Sequence, residues 1–535
     1  MGGMVEKVSQ KQSRSLTRAV LALCAVVFLL HSTTVRPGHG WWGMDDFTAY
    51  LAHGRNLLEG QPYGEIDTVF DPALPPSFQR TAFPPVFSLL VGFVVRPADG
   101  VSRTVDVQAK EPDRPYGLNI LSMKYLLAFF TALSIYLSYR AFQSSSGRTE
   151  LLLTAAAFGF SPYVFASREI VRSEMLFLCL AYFWMAQIQW MERREQEGKQ
   201  ATGMAILAGV IMAGAYATRT AAVVLPFALI AFDVMRSRRL RRSTWIALTV
   251  AGVCVLAQRG AFQSVEGGYV GKLAREWSFS TIADNLAQLG WNYERLWANG
   301  LSTNLQRGVA GFMAILATVG FLSRLRRPTI VEFFFVLYVA MIVALPTDSA
   351  WMRYLLPVLP VILLSVFRGA KVLAGLMPLG GRSVMGVVVL LMLVSYGGAY
   401  AHLDYETLPD GLDDPDAVEA FEWVADNTAA DDVVIFKKSR TMTLATGRPS
   451  ISYPEIFKYG TLSDSELWKH FEAINSVAFV MKHSPASPSN IFHMMNHSDE
   501  AFVERFVSRY PDELVEVLRN EDFTIYEVRS FPRQE

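Results

Sequence analysis

"GMDDFTAYLAHGRNLLEGQPYG", residues 43–64, places two adjacent acids, Asp45 and Asp46, shortly after a hydrophobic segment. The apolar residues that follow recur at about a helical period: Phe47, Tyr50, Leu51, Leu57 and Leu58. This period predicts a short amphipathic helix that lies on a membrane surface. The acids have an ordinary interpretation, because an aspartate at a helix N-terminus caps the helix and complements its dipole. Whether Asp45 and Asp46 have a further role depends on the other charged motifs in the sequence.

The composition is that of a membrane protein joined to a polar domain. Of the 535 residues, 51% are hydrophobic and only 18% are charged, whereas about a quarter of a soluble protein is charged. Residues 1–402 carry 24 acids and 37 Lys/Arg, and residues 403–535 carry 25 acids and 12 Lys/Arg. We therefore predict a mostly α-helical, polytopic membrane domain at 1–402 and a soluble α/β domain at 403–535.

Eleven apolar segments predict membrane-spanning helices. They lie at 19–30, 119–139, 151–166, 174–190, 202–217, 221–235, 244–257, 307–323, 330–346, 354–367 and 384–401. Several are shorter than the roughly 20 residues that a span needs, so their ends must extend into the polar flanks. A further short stretch at 83–95 begins with Phe83-Pro84-Pro85. We expect it to dip into the membrane or lie on it without crossing.

Basic connectors predict the orientation through the positive-inside rule. "RSRRLRR" (236–242) and "RLRR" (324–327) are the strongest cytoplasmic signals. They place the N-terminus in the cytoplasm and residues 403–535 outside, together with the loops 36–118 and 258–306. We expect a multi-pass protein of the bacterial plasma (inner) membrane.

The C-terminal domain alternates helical and strand patterns. Strands are predicted at 432–438 and 476–482, a closing hairpin at 514–529, and helices at 415–427, 464–474 and 499–510. The three cysteines of the chain all lie in apolar segments outside this domain, so no disulfide framework is expected there.

Arginines recur next to carboxylates at the predicted outer boundary. "SREIVRSE" (167–174) carries two of each, Arg219 lies in a tight hairpin, and Arg353 begins a span in "DSAWMRYLLPVLP". A single arginine there is as well explained by snorkelling to the interface. Together they indicate an anionic ligand, because arginine binds phosphate bidentately. A nearby carboxylate would deprotonate an acceptor hydroxyl.

The order of five short motifs resembles the GT-C membrane glycosyltransferases, in particular the branch of protein O-mannosyltransferases and aminoarabinose transferases. The motifs are "DDFTAYLAHGRNLLEGQPY", "FPPVFSLLVGF", "SREIVRSE", "ATRT" and "RYLLPVLP". They extend over roughly residues 18–402. The resemblance implies transfer of a sugar from a polyprenyl-phosphate donor to a protein, lipid or glycan acceptor in the cell envelope.

The resemblance also implies roles for individual residues. The acidic pair supplies the base of an inverting displacement, with Asp45 as first choice and Asp46 capping the helix or orienting an arginine. Arg219 and Arg353 bind the donor phosphate, with Arg168 or Arg80 close by. Further site residues are Glu169, Glu174 and Tyr354. Glu174 stands where the mannosyltransferases carry aspartate, which leaves the sugar and the acceptor open.

Other kinds of site are weakly indicated. There is no P-loop, no dinucleotide fingerprint and no Cys/His cluster, and His493 and His497 alone are a weak metal signal. We predict no cofactor, no metal site and no nucleic-acid partner, and leave dependence on a divalent metal open.

Two alternative functions compete with sugar transfer. A transporter of a lipid or small anionic solute would bind near the bilayer midplane, whereas these charges cluster at the outer boundary. A membrane-anchored binding domain ranks lower, since residues 403–535 show no site chemistry. A cavity at the outer boundary, lined by Asp45 or Asp46 and several arginines, would favour the enzyme.

Overall fold

The computed structural model describes most of the membrane domain and part of the C-terminal domain. The described residues are 2–40, 44–63, 83–95, 110–111, 114–115, 118–262, 278–300, 302–344, 352–376, 381–403, 405, 411–412, 414–436, 438–451, 468–469, 472, 476–482 and 506–529. Side chains are not described for residues 2–13, 45, 110–111, 114–115, 381–382 and 482. The predictions for Arg80, His493 and His497 lie outside the described residues.

Fifteen helices of the described residues precede position 402. They are α1 (Gly2–Thr34), α2 (Met44–Glu59), α3 (Pro85–Val94), α4 (Ile120–Phe142), α5 (Arg148–Gly159), α6 (Pro162–Ala166), α7 (Glu174–Gln196), α8 (Thr202–Thr218), α9 (Val224–Ser237), α10 (Arg242–Ala261), α11 (Phe279–Arg295), α12 (Thr303–Arg324), α13 (Ile330–Ala344), α14 (Leu359–Leu376) and α15 (Gly381–Ala401). Short 3₁₀ helices lie at Ser167–Glu169, Thr220–Val223 and Met352–Val358. Each predicted apolar segment falls on a helix or on consecutive helices.

Within the described part of the chain, eight helical stretches are long and apolar enough to cross a membrane. They are Arg14–Thr34, Ile120–Phe142, Arg148–Glu169, Thr220–Ser237, Arg242–Ala261, Thr303–Arg324, Met352–Leu376 and Ser383–Ala401. This confirms a multi-pass membrane protein. The count of eleven spans stays a prediction, because α8 and α13 are apolar but shorter.

Contacts between connectors bring the predicted cytoplasmic loops together at one end of the helices, here called the basic end. Arg241 Nη1 lies 2.9 Å from Glu195 Oε2, joining the α9–α10 connector to the end of α7. Arg324 at the end of α12 donates to Ser146 in the α4–α5 connector at 3.1 Å. The residues predicted to lie outside, Arg219 and Arg353 among them, follow or precede the opposite helix ends.

Helix α2 is held close to α3 by two glycines that face each other. A Cβ atom added at Gly54 would lie 2.1 Å from the backbone oxygen of Ser88, and one at Gly92 would lie 2.6 Å from the backbone of Gly54. The ten residues of α3 measure about 15 Å, half of the roughly 30 Å hydrocarbon thickness. That length agrees with a segment that does not cross.

The C-terminal domain is an α/β domain, as predicted. Its elements are α16 (Pro415–Asn427), β3 (Val433–Phe436), α17 (Ser439–Thr446), β4 (Ser450–Ile451), β5 (Ser476–Lys482), β6 (Leu514–Arg519) and β7 (Phe523–Val528); β1 (Lys110–Glu111) and β2 (Arg114–Pro115) form a separate hairpin. The strand order is β4-β3-β5-β7-β6. Strand β3 runs parallel to both its neighbours, and β6 and β7 pair as the predicted antiparallel hairpin.

The other predictions for this domain are confirmed in part. The helix at 415–427 and the strands at 432–438 and 476–482 are confirmed. The helices predicted at 464–474 and 499–510 fall mostly outside the described residues, and α17 with β4 was not predicted. The domain lies against α2: α17 packs on that helix, and Gly40 forms a β-bridge with Gly411.

Candidate active site

The chain between α1 and α2 is fastened to the segment before α7 through Glu169. Arg36 donates to this carboxylate through its backbone N and its Nε, both at 3.3 Å. Lys124 Nζ lies 2.7 Å from Glu169 Oε2, and Arg168 Nη2 lies 3.2 Å from Oε1. The Lys124 side chain is fully buried. Glu169 therefore has a full set of hydrogen-bond donors, and it links the residues that follow α1 to those that precede α7.

A second fastening is made by His39, just before α2. Its Nε2 accepts from the backbone N of Val171 at 3.1 Å, and its Nδ1 donates to the backbone oxygen of Gly40 at 2.8 Å. The ring stacks on Phe47 of α2 at 4.9 Å. Because Nε2 accepts, the imidazole is neutral; burial, reinforced by the charge of Lys124, lowers the pKa of His39 to about 3.

Asp46, in the first turn of α2, contacts an arginine 307 positions away in sequence. Its Oδ2 lies 2.6 Å from Arg353 Nη1. Burial alone would raise the pKa of Asp46, but the guanidiniums of Arg353, Arg172 and Arg440 together outweigh burial and lower that pKa to about 2. Asp46 is thus a carboxylate that is firmly ionised and held by an arginine.

Glu174, the first residue of α7, lies between two arginines. Its Oε1 is 2.8 Å from Arg219 Nη1 and 4.0 Å from Arg353 Nε. Arg353 therefore approaches both Asp46 and Glu174. We call Asp46, Glu174, Arg219 and Arg353 the cleft cluster, and the helix end that carries it the cleft end.

Hydroxyl groups and an aromatic ring surround the cleft cluster. Arg219 Nη1 donates to Ser173 Oγ at 3.3 Å, and Tyr50 OH lies 3.2 Å from the same Oγ. The guanidiniums of Arg219 and Arg353 lie 5.5 and 5.2 Å from the centre of the Tyr354 ring. A cationic group over an aromatic face gains electrostatic attraction. The ring thus helps to hold the two arginines side by side.

A small cavity opens beside the cleft cluster. Its charged lining residues are Arg168, Arg172, Glu174 and Arg353. The remaining lining is Leu127, Thr131, Tyr163, Ser167, Ile170, Met175 and Leu356. Such a lining suits a group that is part anionic and part apolar, because guanidiniums bind oxyanions and the aliphatic side chains do not.

The structure brings together five of the predicted site residues: Asp46, Glu174, Arg219, Arg353 and Tyr354. Arg168 reaches the cavity but gives its Nη donors to the backbone oxygens of Phe165 and Thr34 and to Glu169. That pattern fits a fastening role better than ligand binding.

The side chains of two predicted site residues lie outside the described part of the structure. Asp45 lies in the first turn of α2 but its side chain is outside the described part, as is the whole of Arg80. Among the described residues, no group of three or more His, Cys, Asp or Glu side chains is placed to hold a metal ion.

Sequence reasoning missed several residues that the structure places here. Arg172 was noticed within its motif but given no role, and Tyr50 was counted only in an apolar stripe. Ser173 gave no signal of its own. Lys124 could have been found, because it is a lone charge near the start of an otherwise apolar segment.

The helices and the cleft cluster together define a polytopic membrane protein with a cluster of arginines and carboxylates at one end and an α/β domain beside it. Among solved structures, an oligosaccharyltransferase of Archaeoglobus fulgidus tethered to an acceptor peptide superposes with a TM-score of 0.56 at 13% identity, covering 87% of this chain and 69% of that one. The same archaeon's oligosaccharyltransferase AglB, in complex with an inhibitory peptide and a dolichol-phosphate, gives 0.55 at 12%, covering 88% and 70%.

ArnT from Cupriavidus metallidurans, bound to undecaprenyl phosphate, gives a TM-score of 0.48 at 12% identity, covering 96% of this chain and 98% of that one. No protein-family model and no curated protein sequence matches this chain. The predicted resemblance to the GT-C membrane glycosyltransferases is confirmed at the level of the fold.

Proposed function

We propose that this protein is an integral membrane glycosyltransferase that moves a sugar from a polyprenyl-phosphate donor to an acceptor at the cleft end. The observation that carries the proposal is the cavity beside the cleft cluster, where arginines and carboxylates 45 to 307 residues apart in sequence converge. The likeness in fold to an oligosaccharyltransferase that binds dolichol-phosphate supports it.

Arg219 and Arg353 bind the donor phosphate in this proposal. A guanidinium carries five N–H donors in a planar fork that matches phosphate oxygens. The Nε atom of Arg219 is buried and has no hydrogen-bond partner among the described residues, so it retains a donor for a ligand. Neutralisation by both arginines makes the phosphate a good leaving group without an acid. The donor's hydrocarbon tail would lie against apolar residues such as Leu127, Met175 and Leu356, which line the cavity.

The base of the reaction is assigned to the acidic pair, with Asp45 as first choice. Asp46 is held by Arg353, and a carboxylate with a pKa of about 2 takes up a proton poorly at neutral pH. Asp46 therefore orients Arg353, and the role of base passes to its neighbour. Asp45 lies about 100° around the helix from Asp46.

A single displacement with inversion follows from these roles. Asp45 removes the proton from the acceptor's hydroxyl or amine as that atom bonds to the anomeric carbon of the sugar. The bond from this carbon to the phosphate oxygen breaks, and the polyprenyl phosphate leaves as an anion. No covalent bond between sugar and enzyme is required.

The transporter alternative is less well supported. A transporter would place ionisable groups near the middle of the bilayer. Among the described residues, the buried carboxylates lie near helix ends: Glu150, Asp233 and Glu332 at the basic end, and Glu169 and Glu174 at the cleft end. We also propose that the cleft end and the C-terminal domain lie outside the plasma membrane, where a protein, lipid or glycan acceptor is met.

The experiment that tests this function is analysis of lipid-linked sugars by mass spectrometry in cells that lack the protein. One polyprenyl-phosphate-linked sugar should accumulate, and the wild-type gene should reverse this. The double variant Asp45→Asn/Asp46→Asn, expressed to the same level, should fail to reverse it. An unchanged profile of lipid-linked sugars would contradict the proposal.

A further inference from the structure

Helix α11 (Phe279–Arg295) exposes apolar side chains and buries polar ones. Phe279 and Leu286 are 82% and 53% exposed. The other exposed residues on their side of the helix are Ala283, Ala287 and Gly290. At 100° per residue, these five lie within about 100° of one another, and we call them the α11 stripe. Asn285 and Asn292 lie on the opposite side of the helix and are buried.

This arrangement is the reverse of that of a helix on a water-soluble surface, whose apolar side faces the protein. Helix α2 has the usual arrangement, because Phe47, Tyr50 and Leu51 of its apolar face are buried within the protein. Apolar side chains are more favourably placed in hydrocarbon than in water. The reversed pattern of α11 therefore indicates that hydrocarbon surrounds its exposed side.

The contacts of α11 show that it runs along the cleft end of the membrane domain. Asn285 Nδ2 donates to the backbone oxygen of Val343, near the end of α13, at 3.1 Å. Glu294 Oε1 lies 3.2 Å from Arg307 Nε, near the start of α12. Both of these helix ends belong to the cleft end, although Asn285 and Glu294 are about 13 Å apart along the axis of α11. The helix therefore follows the boundary and does not cross the membrane.

The depth of α11 follows from its contact with α13. The 15 residues of α13 measure about 22 Å, less than the roughly 30 Å hydrocarbon thickness. Since α13 starts at the basic end, where Glu332 meets Arg324, it ends within the leaflet on the cleft side. The Val343 carbonyl is among the last four of the helix, which have no partner inside it. Asn285 supplies the donor that hydrocarbon cannot.

The end of α11 carries residues typical of a membrane–water interface. Trp291 is exposed, and the Arg295 guanidinium lies 4.5 Å from the centre of its ring. Tryptophan is enriched where one side of a ring meets lipid and the other meets water. The apolar stem of an arginine lies along such a surface while its charged head reaches water. This pair therefore indicates that the edge of the α11 stripe lies at the level of the lipid headgroups.

We propose that α11 is an interfacial helix whose stripe is covered by the acyl chains of the bilayer leaflet at the cleft end. The helix also packs on Met352–Val358, the segment that carries Arg353. It thus stands between the lipid and the segment that positions an arginine of the cleft cluster. The proposal does not rest on sugar transfer, because it uses only the membrane fold and the side chains of α11.

The test attaches a nitroxide spin label to Ala283→Cys or Ala287→Cys in the purified full-length protein. The protein is reconstituted into vesicles of phosphatidylcholine and phosphatidylglycerol. Collisions of the label with oxygen, which concentrates in hydrocarbon, are compared with collisions with a nickel chelate, which stays in water. Both positions are exposed, so neither change should lower the melting temperature, and the two positions test the stripe independently.

The chain offers a reference for each environment. Cys254 is exposed on α10, within a stretch that can cross the membrane, and serves as the lipid reference. It is replaced by alanine in the other variants, and the two remaining cysteines, Cys24 and Cys179, are buried. Ala430→Cys, at an exposed position after α16, is the matched aqueous control.

Labels on the α11 stripe should meet the nickel chelate several-fold less often than the label at position 430, and should meet oxygen more often. They should meet nickel more often than the label at Cys254, because an interfacial helix is buried only about 5–10 Å into the headgroup and acyl boundary. Nickel access equal to that at position 430 would overturn the proposal. Low access to both reagents would also overturn it, because protein would then cover the stripe, and dipolar broadening would identify a second copy.

Discussion

The buried carboxylates of the basic end and Glu174 of the cleft cluster all lie next to arginines, but their hydrogen bonding differs. At the basic end, Asp233 accepts from the backbone N of Arg241 at 2.9 Å, from its Nε at 2.6 Å, and from the Thr244 hydroxyl. Glu332 accepts from the N and Oγ1 of Thr329, both at 2.7 Å, and from Arg324. These carboxylates have a full set of donors inside the protein.

At the cleft end, Glu174 is as buried but less satisfied. It is 3% exposed and lies 2.8 Å from Arg219, yet neither of its oxygens accepts a well-formed hydrogen bond from a described residue. Buried polar groups in proteins are nearly always hydrogen-bonded, so the exception calls for an explanation. The comparison teaches that pairs of equal burial and charge can differ in how completely they are hydrogen-bonded, and this difference is why we propose that the cleft pair, and not the basic-end pairs, binds a ligand.

The largest expected effect tests whether the two ends face different compartments. A reporter that is active only in the cytoplasm, fused after residue 402, should give no signal, because the C-terminal domain lies at the cleft end. The same reporter fused between α9 and α10, after residue 238, should be active. A bright signal from the fusion at 402 would place the cleft on the wrong side for the proposed acceptors.

Asp45→Asn should reduce the rate of sugar transfer by about 10²- to 10⁴-fold, the usual contribution of a general base. The melting temperature should be nearly unchanged, because asparagine caps a helix as well as aspartate. The measurement is a transfer assay with purified protein, with Asp46→Asn as the neighbouring control. Near-normal turnover in both variants would mean that Asp45 and Asp46 only cap the helix.

Asp233→Ala should lower the free energy of unfolding by about 3–5 kcal/mol, since removal of one partner leaves the other charge buried and unpaired. Donor affinity per folded molecule should not change, because this pair belongs to the basic end. Denaturant unfolding in detergent measures the first quantity and lipid titration the second. A specific loss of donor binding would mean that the two ends are coupled.

Most helices and strands could be predicted from the sequence, whereas the contacts between residues far apart in sequence could not. Apolar segments such as 384–401 and the hairpin at 514–529 were predictable, because hydrophobic length and alternation are local properties. The contact of Asp46 with Arg353 joins positions 307 apart, and no local pattern specifies it. The same holds for Tyr50, whose apolar ring placed it in a stripe while its hydroxyl meets Ser173. Helix α17 has only eight residues and β4 only two, too few for a repeated apolar pattern to identify them.

A smaller effect concerns the pH dependence of stability through His39. Its pKa is lowered in the folded protein, so the unfolded chain binds one more proton as the pH falls below about 6.5. The stability contributed by the neutral ring is complete above that pH and is lost progressively towards pH 3, at up to about 1.4 kcal/mol per pH unit.

His39→Gln should therefore flatten the decline of unfolding free energy between pH 7 and pH 5. His53, whose burial lowers its pKa to about 4, contributes with the same sign and remains in both proteins. Identical slopes for wild type and variant would show that His39 is not held neutral.

The most direct measurement of the central claim is titration of the purified protein with polyprenyl phosphate, comparing one arginine from each end. Arg353→Ala should weaken the affinity by about tenfold or more, because a charge-assisted bond to the phosphate is lost. Arg236→Ala, which removes an exposed arginine paired with Glu192 at the basic end, should bind as the wild type does. Equal affinities for the wild type and both variants would contradict the claim that the cleft cluster binds a lipid phosphate.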